Sequence, residues 1–306
     1  MSLSKAYYPH LLTNGAGLEL FKLNDFRPSN NYQDLTEFQS SSVVPYMTGT
    51  HQASPDNRFS SPELNEILTE VIAGDVNCAA SQVANTVDVE MRAGQLLGTR
   101  YAVGSSEHLI GRMELNSLLV FEGFEARQGQ IAQGRCRLGA TYDGTNEPIQ
   151  WLDSQAITAL AASTQFYTLG PQSINGASVD GVQSCALDNR VEYEEVYADG
   201  DGFLVYLGIL RMSPRVTIMT RDTSAVSSYG AEGTALTNWT CYLKRKKTSA
   251  INYADVDTEH IKFVATTGTI KTQEVGGENS EAQITIDLYK ADDTAPYTPS
   301  VGVAIT

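Results

Sequence analysis

The sequence predicts a mainly β protein with a few short helices, built as two tandem related domains of β-sandwich or β-barrel type. Three observations favour this class. Thr, Val, Ser, Gly and Tyr, which favour strands and turns, recur throughout the 306 residues. Several segments alternate apolar and polar residues, which is the period of a half-buried strand. A nine-residue pattern at positions 101–109 returns at positions 253–261.

The repeated pattern keeps a spacing of 152 residues, and its identical pairs are Tyr101/Tyr253, Ala102/Ala254, Glu107/Glu259 and His108/His260. Matches at spacings of 150 and 148 residues follow, which are Ala132-Gln133 with Ala282-Gln283 and Ala156-Ile157-Thr158 with Ala304-Ile305-Thr306. Loops that shorten between fixed strands produce such a decreasing spacing. We therefore predict a duplication, with residues 1–165 as a first domain with an extended N-terminal part and residues 166–306 as a second domain. The alternative is a chance match, because β-rich chains share alternation and turn residues.

The clearest helix is expected between Ser61 and Gly74. Ser61 is a suitable N-cap, Pro62 suits the first helical position, and Gly74 suits the end. The apolar residues fall on one stripe at i, i+3, i+4 and i+7, which are Leu64, Ile67, Leu68 and Val71. A second, less clearly marked helix is expected at 223–231. Each predicted domain would then have one helix ahead of an alternating strand.

Strands are expected where the period changes to two. These segments are 87–91, 118–124, 130–138, 189–196, 203–210 and 216–220. Long excursions are expected at 92–105 and 244–255, and an irregular connection is expected at 51–60. Asp143-Gly144 is a hairpin turn signal.

The composition excludes several classes of function. Thirty-six acidic against 21 basic residues give a formal charge of −15, whereas a protein that binds DNA by its phosphates carries the opposite sign. An acidic balance suits solubility, or a surface past which a polyanion moves without binding. The chain has no run approaching 18 apolar residues and no apolar signal peptide at its start, so we expect no membrane span and assembly in a cytosol.

The four cysteines, Cys78, Cys136, Cys185 and Cys241, form no Cys-x-x-Cys pair. Cys241 alternates with Trp239 and Leu243, which predicts a buried strand residue. The sequence contains no phosphate-binding loop, zinc-protease motif or nucleophile elbow. The acidic turn at 198–202 lacks the further ligands of a calcium loop. We therefore expect no metal and no cofactor.

The pairs Glu107-His108 and Glu259-His260 are the only candidates for catalytic residues. Adjacent residues of a strand point to opposite faces, so the two side chains of a pair cannot act together as acid and base. Both copies keep the pair, which favours a structural role such as a histidine hydrogen-bonded at the start of a strand. We expect no catalytic residue.

Two charged clusters are candidates for intermolecular contact. The predicted inter-subunit contact residues are basic, namely Arg92, Arg100, Lys244, Arg245, Lys246 and Lys247. The predicted acidic surface or lumen is the densest acidic segment, namely Glu192, Glu194, Glu195, Asp199 and Asp201. Glu192 and Glu194 are expected to share one face of a strand. A solvated loop tip is the alternative interpretation of the basic cluster.

The chain resembles the tail tube, or major tail, proteins of long-tailed bacteriophages. The resemblance rests on the two copies with one helix and one excursion each, on segment 174–184, on the Asp/Gly turn at 199–202 and on the ending at 302–306. It is strongest over residues 174–306. It implies a virion structural protein without enzymatic activity, assembled in the host cytoplasm.

The resemblance also implies an assembly. Each domain would contribute strands to a barrel around a ring, and closing the ring would remove exposed strand edges. A duplicated subunit would form a homotrimeric ring with pseudo-sixfold symmetry, and stacked rings would form a tube. Other tail proteins would be partners, and DNA would pass without specific binding.

Three alternatives remain open from the sequence. The chain could be another phage ring, collar, adaptor, baseplate or capsid-decoration protein. A carbohydrate-active or peptidoglycan-cleaving enzyme would need a carboxylate pair in a cleft, and no pair can be nominated. A monomeric adhesin is the third alternative.

Overall fold

The structure, a computed structural model, describes most of the chain. The described ranges are 5–15, 18–20, 22–24, 26–38, 45–53, 55, 57–73, 80–82, 86–95, 98–113, 117–160, 165–197, 202–230, 233–247, 252–275, 281–290 and 294–306. Within them, antiparallel strands predominate and the helices are short. The prediction of a mainly β fold with a few short helices is confirmed.

The first half of the chain contains one helix among strands. Its elements are β1 (Lys5–Thr13), β2 (Glu19–Leu20), β3 (Tyr32–Phe38), β4 (Pro45–Ala53), β5 (Asn57–Ser61), α1 (Leu64–Ala73), β6 (Ala80–Gln82), β7 (Val87–Gln95), β8 (His108–Met113), β9 (Leu118–Arg127), β10 (Gln133–Gly139) and β11 (Gln150–Gln155). The helix that was predicted from the apolar stripe is confirmed, although it begins at Leu64 and not at Pro62. Its predicted end at Gly74 lies outside the described residues.

The second half has the same kind of content. Its elements are β12 (Phe166–Ile174), β13 (Ala177–Ser178), β14 (Val182–Asp188), β15 (Glu192–Tyr197), β16 (Leu204–Arg211), β17 (Arg215–Thr220), α2 (Ser224–Tyr229), β18 (Thr234–Leu236), β19 (Trp239–Lys246), β20 (His260–Ala265), β21 (Gly268–Val275), β22 (Glu281–Leu288) and β23 (Thr298–Val303). The predicted hairpin over 189–210 is β15–β16, and the weaker helix is α2.

The two halves repeat one strand order. The first half forms a five-stranded sheet in the order β11-β8-β7-β1-β2, and the second half forms one in the order β23-β20-β19-β12-β13. Each half also contributes a separate hairpin, β3–β4 or β15–β16. The remaining strands form a nine-stranded sheet, with β18-β21-β22-β17-β14 from the second half and β9-β10-β5 with β6 from the first.

Helix α1 shows why the local sequence folds as predicted. The Ser61 hydroxyl accepts a hydrogen bond from the Glu63 amide at 3.2 Å, which satisfies one free N–H at the helix start. The four stripe residues are fully buried. They pack over β10, where Gly134 leaves room, since a Cβ there would lie 2.8 Å from the Leu64 side chain.

One apolar core extends through both halves, between the nine-stranded sheet and the two five-stranded sheets. Phe124 on β9 and Phe263 on β20 lie with ring centroids 4.6 Å apart, and Phe263 also contacts Tyr297 at 6.2 Å. The halves are therefore packed together. Strand β12 begins at Phe166, and the division into domains at this point stays a prediction.

Several local predictions were wrong. Segment 51–60 is not an irregular connection, because β4 and β5 cover most of it. Strand β4 pairs with the preceding strand β3, and β5 pairs with the distant strand β10. Arg92 and Lys244 lie inside β7 and β19, so the excursions begin later than expected. The Asp143 carboxylate does cap a turn, accepting from the amides of Thr145 (2.8 Å) and Asn146 (2.7 Å). That turn connects strands of different sheets and makes no hairpin.

The halves are joined by antiparallel pairing of β9 with β14, in which residues Ser184 to Asp188 face residues Arg127 to Gly123. The Gly123 backbone has φ +138°, and a Cβ at this position would lie 1.9 Å from the Leu187 carbonyl oxygen. Only glycine permits this approach of the two strands.

We expect Gly123→Ala to lower the free energy of unfolding by about 3 kcal/mol or more, because the new methyl group meets backbone that cannot move aside and the φ angle is strained. Urea unfolding followed by circular dichroism measures the change. Gly104→Ala is the matched control, since nothing lies within 4 Å of a Cβ there. Equal stability of the two variants would contradict this account of the junction.

Candidate assembly interface

The repeated pattern folds in the same way in both halves. His108 begins β8 and His260 begins β20, and both are 0% exposed. Nδ1 accepts a hydrogen bond from the amide of Ala93 (3.0 Å) or Arg245 (3.1 Å). Nε2 lies 2.8 or 2.9 Å from the carbonyl oxygen six residues earlier, so it must donate, and each ring is the neutral tautomer. The prediction of a histidine hydrogen-bonded at a strand start is confirmed.

The second match extends the equivalence to the end of each half. The amide of Ile157 donates to the Val103 carbonyl at 2.9 Å, and the amide of Ile305 donates to the Asp255 carbonyl at 2.8 Å. Each pattern loop is therefore fastened by the tripeptide that closes its own half. These contacts, with the repeated strand order, support a correspondence of the elements of one half with those of the other, except that β14 has no named strand as its counterpart.

The correspondence can be carried to single residues of the nine-stranded sheet. If Leu138 on β10 corresponds to Leu288 on β22, the β9–β10 and β21–β22 ladders match in register as far as Cys136 and Ile286, where β9 carries one extra residue that β21 lacks. Val120 and Arg58 flank Arg137 on neighbouring strands, and the corresponding residues Thr269 and Arg215 flank Asp287. Strand β9 therefore corresponds to β21, β5 to β17 and β6 to β18.

The predicted basic contact residues largely contact their own chain. Lys244 pairs with Asp255 and Arg245 pairs with Glu259. Lys246 forms a β-bridge with Asn252, and the Lys247 ammonium lies 5.1 Å from the Tyr253 ring centroid. The basic cluster thus fastens the excursion that follows it, and a role in contact with other subunits stays a prediction.

The two first-half arginines behave similarly. Arg92 donates from Nε and Nη2 to the Tyr101 carbonyl at 3.0 and 2.9 Å. Arg100 is exposed and its guanidinium stacks 3.3 Å from the Tyr8 ring centroid. Their contact with other subunits also stays a prediction.

The predicted acidic residues are partly neutralised. Glu192 pairs with Arg211 at 2.5 Å and Glu195 with Arg137 at 2.9 Å, whereas Glu194 is exposed. The register shift after Glu192 adds a residue on β16 and none on β15. Glu192 and Glu194 are both exposed on either side of half-buried Tyr193, as expected of residues that share one strand face. Asp199 and Asp201 lie outside the described residues.

Hairpin β15–β16 lies on the first half's part of the nine-stranded sheet, on the face opposite the main core. Its Leu204 and Leu207 bury Ala80, Leu118 and Val120 in a second apolar cluster. The run of apolar residues at 118–121 is the signal that could have predicted this, because a strand buried on both faces does not alternate. No local pattern indicates which segment covers this strand.

Polar contacts fix the same hairpin. Arg137 is 3% exposed, pairs with Glu195, and lies 4.0 Å from the Tyr193 ring centroid. The Tyr193 hydroxyl donates to Glu122 at 2.8 Å. Burial, together with the Glu122 charge, raises the pKa of the Tyr193 phenol well above its usual range, so the phenol remains a donor. Of these residues, only Glu195 was predicted from the sequence as a site residue.

The nine-stranded sheet has two edges, and each corresponds to one side of the β9–β14 junction. The β21 edge corresponds to β9, and the edge formed by segment 22–24 beside β5 corresponds to β14. On β9, residues Leu118 to Val120 pair with β6 and residues Gly123 to Arg127 pair with β14. On β21, residues Gly268 to Ile270 pair with β18, and the strand continues to Val275 with no described strand beside it on that edge. The Thr272 amide points to this edge, where it donates to the Gly230 carbonyl at 3.1 Å.

The opposite edge lies beside β5. Asn24 and Ser60 exchange two backbone hydrogen bonds of 2.8 and 3.2 Å. Segment 22–24 therefore stands beside β5 as β14 stands beside β17, and no described strand pairs with its other side.

The cysteines are structural where the structure describes them. Cys136, Cys185 and Cys241 are free and buried, which confirms the prediction for Cys241. Burial raises the pKa of the Cys136 and Cys241 thiols, so these thiols are poor nucleophiles. Cys78 lies outside the described residues.

We expect Arg137→Ala to lower the free energy of unfolding by about 2–4 kcal/mol, because it leaves the Glu195 carboxylate without its cation and removes the buried guanidinium that packs on the Tyr193 ring. Arg211→Ala, which removes the exposed partner of Glu192 on the same hairpin, should change it by less than about 0.5 kcal/mol. Urea unfolding measures both values. Similar small effects would show that the Arg137 contacts do not hold the hairpin.

Comparison with known protein families and curated sequences identifies no relative of this chain. No protein-family profile matches the chain, and no curated protein sequence matches it. Among the described residues there is no cluster of three or more metal-binding side chains. In the same part of the chain, every helix is too short or too polar to span a membrane.

Proposed function

We propose that this chain is a structural subunit that assembles head to tail with copies of itself into rings, and that the rings stack into the tail tube of a long-tailed bacteriophage. The observation that carries the proposal is the β9–β14 junction. It joins two corresponding halves through different surfaces, and the nine-stranded sheet has at each of its two edges a counterpart of one of these surfaces with no described strand paired to it.

A junction of this kind can repeat between molecules. Heterologous contacts generate a ring when the rotation closes and a filament when it does not. Pairing β21 of one chain with segment 22–24 of the next would repeat the internal junction and would cover both strand edges. On the correspondence above, Asn24 pairs with Gln273 of the next copy, as Ala186 pairs with Glu125 inside the chain.

Two corresponding halves per chain suit an even number of units around a ring. We propose a homotrimer with pseudo-sixfold symmetry, in which three internal junctions alternate with three junctions between chains. The formal charge of −15 suits a conduit for DNA, because phosphates are repelled by a net acidic assembly. Other tail proteins would terminate the tube in the virion.

Glu274→Pro tests the junction between chains. Thr272 N points away from β22, so the Glu274 N–H also faces the outer edge of β21, because alternate residues of a strand point to the same side. Proline removes this donor and leaves the β21–β22 ladder intact. We expect the variant to remain a folded monomer by light scattering and circular dichroism, while the wild type forms rings or tubes in electron micrographs.

Glu274→Ala is the matched control, because it removes the side chain and keeps the N–H. It should assemble like the wild type. Rings formed equally well by the proline variant would refute the β21 junction, and a wild type that stays monomeric at millimolar concentration would refute the proposed function.

A further inference from the structure

We propose that hairpin β3–β4 of one chain docks onto the outward face of β21 and β22 of the neighbouring copy. This inference rests on the proposed head-to-tail assembly and adds a second contact to it. The docking surface is the face of the nine-stranded sheet that is opposite the main core in the second half.

The first half shows what covers such a face. Its residues Ala80 and Val120 are 0% exposed because hairpin β15–β16 lies over them. The same hairpin also covers Arg137. A hairpin that belongs to the second half therefore covers the first half beyond the β9–β14 junction.

The corresponding face of the second half is bare. Ala235 and Lys271 are exposed, and Thr269 is half-exposed. A groove of about 360 Å³ crosses this face. Its lining includes Arg215, Lys271, Gln283, Thr285 and Asp287.

Hairpin β3–β4 is the counterpart of hairpin β15–β16. It lies between segment 22–24 and β5 in the chain, as β15–β16 lies between β14 and β17. Both hairpins are antiparallel two-stranded sheets that pair with no other strand over most of their length. If the junction between chains repeats the internal one, hairpin β3–β4 lies over the exposed outward face of β21 and β22 in the neighbouring copy.

A contact between the hairpins supports the same arrangement. Ala53, at the base of β3–β4, donates its amide to the Gly202 carbonyl at 2.6 Å and forms a parallel bridge with Phe203, near the tip of β15–β16. The tip of one hairpin therefore rests on the base of the preceding one.

Charge also suits this occupant. The two strands of β3–β4 contain Asp34 and Glu37 and no lysine or arginine. The groove holds Lys271, which has no carboxylate within ion-pair distance among the described residues, while Arg215 and Asp287 pair with each other at 2.5 Å. An acidic hairpin over Lys271 would repeat the contact of Glu195 with Arg137.

Photo-crosslinking in the assembled full-length protein tests the docking. The photoreactive residue p-benzoylphenylalanine replaces Arg215, and equal amounts of unlabelled and ¹⁵N-labelled protein are mixed before assembly and irradiation. We expect mass spectrometry to identify mixed-isotope crosslinks from position 215 to peptides that contain residues 32–38 or 45–53. Arg58 is the matched control position. It corresponds to Arg215 in the first half, where hairpin β15–β16 of the same chain already covers this face of the sheet.

At position 58 the same probe should give crosslinks within one chain to residues 192–211, because Arg58 lies 3.4 Å from Glu122, which accepts from Tyr193. Rings with crosslinks from position 215 to other segments, or only within one chain, would overturn the docking and leave the proposed function standing. Failure of the variant and of the wild type to form any ring would overturn both. If the wild type forms rings and the variant with the probe at position 215 does not, the probe is moved to position 285, which also lines the groove. Crosslinks to the hairpin would then support the docking, and crosslinks elsewhere or within one chain would overturn it.

Discussion

The pairing requirement of strand edges is the constraint on which this structure depends. Every backbone N–H and C=O in a sheet needs a partner, and an edge strand presents a row of groups without one. Inside the chain, β9 meets this requirement by pairing with β6 and β14 in succession. Because β14 comes from the other half, the requirement also unites the halves, and Gly123 is the residue that lets the two strands approach.

The halves keep the same fold with few identical residues, and the kept residues are those with specific partners. Each buried histidine must satisfy two ring nitrogens, so His108 and His260 need the same loop with the same carbonyl and amide. The core makes weaker demands, since Phe124 and Thr272 occupy corresponding places on β9 and β21. Apolar packing constrains volume and pattern more than identity.

Local patterns in the sequence predict the elements whose signals are local. The stripe of α1 and the alternation of β17 are examples, because each reports its own burial. Strand β5 was missed because its stability comes from a ladder with β10, which no short window contains. Likewise, the basic residues at 244–247 were identified as a cluster, but their partners Asp255 and Glu259 depend on how the excursion folds back.

The two halves differ most on the outward face of the nine-stranded sheet. The first half has Val120 and Arg137 there under a hairpin, whereas the second half has Thr269 and Asp287 on an open groove. Polar residues suit a face that stays hydrated until a neighbour arrives. The asymmetry is what a head-to-tail chain requires, since one of its two equivalent faces is always filled from outside.

The central claim is that the internal junction recurs between molecules, and a cryo-electron microscopy map of the particles formed by the purified full chain tests it most directly. The account predicts closed rings in which the nine-stranded sheet continues from β21 of one chain to segment 22–24 of the next, with Asn24 opposite Gln273. Particles joined through any other surface, with β21 left as a free edge, would contradict it.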